Sequence, residues 1–159
     1  MWIAVVSITV AIGIGVAIGV SRAKKIKALQ DEGKIIRRDI HYAEKGEEFT
    51  SKIGSCGALK QALETIGIPC AAEGNTATQI LFSGTDFKAR LYRKAFDEPS
   101  GIGVYRFEFT HWKTEGYSYA NETGMNMLLT TVEKAFLSLD PNTGVSTYDL
   151  QFKTKHTLF

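Results

Sequence analysis

The side chains able to do chemistry are few and scattered. Three histidines occur. His41 is followed by Glu44 in HYAE, and His111 by Glu115 in HWKTE. On a helix either spacing would place an imidazole and a carboxylate on one face, the beginning of a metal site. Neither stretch reads as helix and neither offers a further ligand, so both are taken as solvated loop residues and no cofactor is expected. His156, close to the C-terminus, suggests no site.

Two cysteines, Cys56 and Cys70, form no CxxC pair and are too few for a zinc site. Cys56 falls near the start of an expected helix, where the dipole lowers a thiol pKa. A small buried hydrophobe is the simpler reading. No GxSxG elbow is present, and Gly101-x-Gly103 lacks the third glycine and the helix of a dinucleotide fingerprint. An enzyme would therefore need His111, Glu115 and Asp97 or Glu98 to converge from separate loops.

One surface stands out. Lys88, Arg90, Lys94 and Arg106 lie on the polar side of two alternating segments, with Tyr92 and Trp112 nearby. Cations interleaved with aromatic rings on an open sheet can hold single-stranded nucleic acid. Asp97, Glu98 and Glu108 share the neighbourhood, and net charge is only +2. Cross-strand ion pairs on a solvated face explain the pattern without nucleic acid, which is the less favoured partner.

The elements that must position these residues follow from periodicity. Phe87, Ala89, Leu91 and Ala95 share one face, opposed by Lys88, Arg90 and Lys94. Tyr105, Phe107 and Phe109 alternate with Arg106 and Glu108. With Asp97-Glu98-Pro99-Ser100-Gly101 between them, they predict an antiparallel hairpin with one wet face. Arg93 interrupts the inward pattern and predicts a bulge or an edge position there. Leu59, Ala62, Leu63 and Ile66 recur at helical spacing behind Ser55, ending at Gly67. Met125, Leu128, Leu129, Val132, Ala135, Phe136 and Leu139 predict a second helix from about Thr123 to Leu139.

Short strands are expected at Phe49–Ile53, around Ile68–Ala72, and about Ile80 and Phe82. Lys45-Gly46 is read as a turn and His111 to Asn121 as loop. A last strand is expected to bring Tyr148, Leu150 and Phe152 inward. The order β-α-β-β-β-β-α-β predicts an α+β fold: one mostly antiparallel sheet covered on one face by two helices.

Ahead of all this lies Trp2 to Val20, nineteen residues without a charge. As a helix they would span roughly 28 Å, close to the hydrocarbon thickness of a bilayer. A cleavable signal peptide is the rival reading, but no cationic n-region precedes Trp2 and the apolar run is too long. Arg22, Lys24, Lys25 and Lys27 flank only the C-terminal side, which places the N-terminus outside and the remaining chain in the cytoplasm. Ala11, Gly15 and Gly19 fall four apart and form a small-residue face suited to helix dimerisation.

The expected organisation is an anchor and basic flank over 1–33, a connector over 34–48 and a cytoplasmic α+β domain over 49–159. The expected function is that of a single-pass membrane protein whose domain binds or adapts. Its partners would be the bilayer, an unidentified protein and a second anchor helix. A membrane-proximal enzyme and a nucleic-acid-binding sheet face are the alternatives.

Overall fold

A computed structural model of the chain describes residues 23–36, 41–68, 71–73 and 77–150. The chain divides between Arg37 and Arg38. In the first unit residues 23–31 form a helix, α1, on which Lys24, Lys25 and Lys27 are exposed. Among the described residues no helix is long and apolar enough to cross a membrane. The expected anchor, from Trp2 to Val20 with Ala11, Gly15 and Gly19, lies outside the described residues, as does Arg22.

The second unit is α+β. Its elements run β1 (Lys45–Ser51), α2 (Cys56–Ile66), β2 (Ala71–Glu73), β3 (Gln79–Ser83), β4 (Phe87–Asp97), β5 (Ile102–Trp112), β6 (Thr114–Glu115), β7 (Ser118–Tyr119), α3 (Glu122–Leu139) and β8 (Gly144–Asp149). Six strands make one antiparallel sheet in the order β2-β3-β4-β5-β1-β8, and β6 and β7 form a small separate hairpin. The first strand is thus inserted between the fifth and the last.

The alternation read in the sequence is what closes the core. Phe87, Ala89 and Leu91 of β4 and Tyr105, Phe107 and Phe109 of β5 are buried, together with Ile80 and Phe82 of β3. They join Leu59 and Leu63 of α2 and Met125, Leu128, Leu129, Val132, Ala135 and Phe136 of α3 in one cluster. Phe136 stacks on Phe49 of β1 with ring centroids 4.3 Å apart and planes 6° from parallel. Each such ring or branched chain contributes about 1.5–3 kcal/mol by leaving water.

Helix ends follow local rules only in part. Gly67, at φ 87°, closes α2 with its N–H donating to the Leu63 carbonyl. Ser55 occupies the N-cap position of α2 as expected, yet its side chain makes no capping hydrogen bond. Asn121 does cap α3, accepting from Gly124 N at 3.0 Å.

Five expectations need correcting. Ala95, grouped by alternation with Phe87, Ala89 and Leu91, is exposed, because the ladder shifts between Arg93 and Ala95. The connector does not reach 48: Tyr42 is already in the core and β1 starts at Lys45. Gly46, read as a turn, is buried within that strand. The stretch after His111 is only partly loop, since His111 and Trp112 complete β5 and Thr114–Tyr119 folds into β6 and β7. Tyr148 does not face the helices. Val145 pairs with Phe49 and shares its face, so Tyr148, three residues on, lies on the opposite one. Leu150 is only partly buried, and Phe152 lies outside the described residues.

Candidate functional site

The face of the sheet turned away from α2 and α3 gathers the polar side chains of β4, β5, β1 and β8. Register decides which of them meet. Tyr92 pairs with Arg106, Arg106 with Glu48, and Glu48 with Ser146, making one row across four strands. Arg90 pairs with Glu108, and Gly46 with Tyr148, in the adjacent row.

Contacts link the rows. Arg106 Nε donates to Glu48 Oε2 at 2.8 Å, and Lys94 Nζ lies 3.5 Å from the same oxygen. Arg90 Nε donates to Glu108 Oε1 at 2.5 Å, while Tyr148 Oη donates to Glu108 Oε2 at 2.8 Å. The Arg106 guanidinium sits 4.1 Å from the Tyr148 ring centroid, and that of Arg90 lies 4.9 Å from the Tyr92 ring. Both are cation–π distances.

Gly46 makes this arrangement possible. A Cβ there would lie 2.6 Å from the Tyr148 ring and 2.7 Å from the Phe107 carbonyl oxygen. With hydrogen in that place, the ring comes close over Gly46 and its hydroxyl reaches Glu108. Glu48, Gly46 and Tyr148 belong to the site but were not singled out in the sequence. A glycine inside KGEEF was the available signal, because glycine within a strand marks a close approach.

The electrostatics match the contacts. Hydrogen bonding from Arg106 holds the Glu48 carboxyl below its ordinary value, helped by Lys94. The same pair keeps the Arg106 guanidinium above its own, against the burial that opposes its charge. Burial, and donation to Glu108, push the Tyr148 hydroxyl far above its usual value, so it remains a donor.

Glu48 thus carries a testable pH dependence. Its pKa is lowered by folding, so its contribution to stability is present above the unfolded value of about 4.3 and is lost as pH falls through the lower folded value. Glu48→Gln is expected to lower the urea midpoint at pH 7 and to match the native chain at a pH below that window. A difference that stays constant with pH would show the ion pair to be inert.

The surface patch expected from sequence is therefore mostly real but differently used. Lys88 is exposed on this face. Arg90, Lys94 and Arg106 are on it too, with their charge directed at Glu108 and Glu48. Trp112 is not part of the patch. It is 3% exposed in the core, because the ladder shifts between Lys88–His111 and Ala89–Phe109. The extra residue in β5 turns Trp112 to the helix side.

The residues an enzyme would need do not converge. Asp97 pairs with Ile102 at one end of the hairpin, and His111 lies nine residues along β5 from that pair, about 30 Å away at strand rise. The His111 ring contacts Thr110 Oγ1 at 3.1 Å, and Glu115 is exposed on β6. The His41 carbonyl accepts the N–H groups of Glu44 and Lys45 in a turn. Among the described residues no group of three or more His, Cys, Asp or Glu is placed to hold a metal. Cys56 is buried, which pushes its thiol pKa up rather than down.

Set beside known proteins, this chain matches no family model, no curated protein and no solved structure.

Proposed function

We propose that this protein is a membrane-tethered docking module. Trp2–Val20 is its single-pass anchor, the N-terminus lies outside, and a cytoplasmic α+β domain takes a protein partner on the outer face of its sheet. The observation that carries the reading is the asymmetry of the sheet. One face is closed by α2 and α3 around the aromatic core. The other presents Tyr92, Arg106 and Tyr148, with Arg106 held by Glu48 and Tyr148 by Glu108.

Tyrosine and arginine are the side chains in which protein interfaces concentrate their binding energy. Rings and guanidinium groups fixed before contact lose little entropy on binding. Nucleic acid is a poorer fit for this face, because a phosphate would compete with Glu48 and Glu108 for the same cations. The anchor and its orientation rest on the uncharged run and the one-sided Arg22, Lys24, Lys25 and Lys27.

A photoreactive residue placed at Tyr92 in the full chain is expected to form an adduct of one discrete size in cells. Arg106→Glu should suppress that adduct, and the same probe at Glu64, exposed on α2, should give none. Adducts that vanish on nuclease treatment, or that form equally from Glu64, would refute docking through this face.

Topology has its own measurement. Asn142 is exposed in the turn before β8. In intact cells Asn142→Cys should stay unlabelled by an impermeant thiol reagent and become labelled only after permeabilisation. Labelling without permeabilisation would put the domain outside.

A further inference from the structure

We infer that β8 is a self-association edge: two copies of this chain join their sheets by pairing β8 with β8, antiparallel, about a two-fold axis. β8 ends the strand order, and among the described residues no strand pairs with its outer side. The hydrogen bond from Leu150 N to Glu44 O, at 2.8 Å, sets the phase of the ladder. Because hydrogen-bonded and non-bonded pairs alternate, Gly144, Ser146 and Tyr148 turn their main-chain groups toward β1. Val145 and Thr147 turn theirs outward, where another strand would satisfy them.

Two other margins that no described strand covers are defended and β8 is not. β2 is only three residues long. Where β4 runs on beyond β3 it carries Lys94 at an irregularity between Arg93 and Ala95. Short length, lysine and bulges are the usual devices against edge pairing. β8 pairs with β1 without a shift over six residues, and its sequence GVSTYD holds no lysine, arginine or proline.

The occupant that suits this edge is a second copy. A two-fold centred on Ser146 sets Val145 opposite Thr147 of the second copy and Ser146 opposite itself, with no charge facing a like charge. β-branched pairs of this kind favour cross-strand packing. Antiparallel pairing also keeps both helix layers on one side of the joined sheet.

On that side Val145 is 42% exposed and Leu139 45%. Leu139 extends the α3 stripe one turn past Phe136, which stacks on Phe49, the β1 partner of Val145. A second copy brings its own Val145 two residues along, about 7 Å away, with its own α3 terminus above it. A lone extended peptide would take the hydrogen bonds and leave Leu139 in water. The inference does not depend on the outer sheet face.

The test uses the purified full chain in detergent, with Cys70→Ser to remove one thiol and Gly15→Ile to suppress association through the anchor. Ser146→Cys should oxidise to a covalent dimer, because opposed residues of a non-bonded pair lie within disulfide reach. Thr50→Cys, exposed on β1, should not. Thr147→Pro deletes one outward N–H and leaves the β1 ladder intact; Val145→Lys puts a charge on the edge.

Each is expected to cut the yield of cross-linked dimer at least tenfold without changing the circular dichroism spectrum. A chain that stays monomeric on oxidation overturns the inference. So does a dimer yield that neither substitution changes, or cross-linking in cells only to a different protein.

Discussion

The chain carrying Phe107→Asp is expected to lose the folded state of its α+β unit altogether. Phe107 is central to β5 and 1% exposed. Its ring packs edge-on against Phe109 with centroids 5.1 Å apart and tilted against Phe82 at 5.9 Å. The substitution removes an aromatic side chain, a loss of about 3–5 kcal/mol on its own. It also buries a carboxylate in an apolar cluster, at a further cost of several kcal/mol unless it takes up a proton.

Together these are comparable with the roughly 5–15 kcal/mol by which a domain of this kind is stable. Arg106→Ala, one residue away on the other face, is expected to cost about 1 kcal/mol, because its ion pair is partly solvated. Thermal melts followed by circular dichroism would separate the two. A cooperative transition retained in Phe107→Asp at the native temperature would refute the assignment of faces.

The second large effect is expected at a residue with no side chain. Gly46→Ala adds one methyl group, 2.6 Å from the Tyr148 ring and 2.7 Å from the Phe107 carbonyl oxygen. The ring can swing away, giving up its hydrogen bond to Glu108 and its contact with Arg106. The carbonyl is backbone of β5 and can yield only if the strand moves. Overpacking of this kind costs about 1–3 kcal/mol, and the rigid neighbour argues for the upper end.

A double-mutant cycle isolates the part due to the ring. In a Tyr148→Ala background Gly46→Ala should cost less than in the native chain by more than about 0.5 kcal/mol, with a residual cost from the Phe107 oxygen. Equal costs in both backgrounds would mean that Tyr148 does not lie over Gly46. Urea midpoints of the four chains are the measurement.

Much of this fold could be read from residue order alone. The hairpin was legible because Phe87, Ala89 and Leu91 and then Tyr105, Phe107 and Phe109 alternate with charges across an Asp97–Gly101 turn. Both helices were legible because their apolar stripes repeat at the helical period, and α3 ends at Leu139 as the pattern requires. Even the irregularity near Arg93 showed as a break in alternation. These are properties of consecutive residues, and near-neighbour sterics and burial determine them without reference to the rest of the chain.

The faces of Trp112 and Tyr148, the start of β1 and the membership of the outer-face cluster were decided only by tertiary structure. Trp112 is turned inward by an extra residue inserted in β5, and a one-residue slip moves every following side chain to the other face. Alternation groups Tyr148 with Leu150 and Phe152, but pairing with β1 places Val145 beside Phe49 and so sends Tyr148 outward. The charged residues of the patch were visible one by one. Arg90 and Glu108 meet within the hairpin. That Glu48 meets Arg106 and Lys94, and Tyr148 meets Glu108, depends on β1 lying between β5 and β8, strands remote from it in sequence. Periodicity is local and survives in a sequence read alone; register is a contract between distant segments, settled only when the whole sheet has closed over its core.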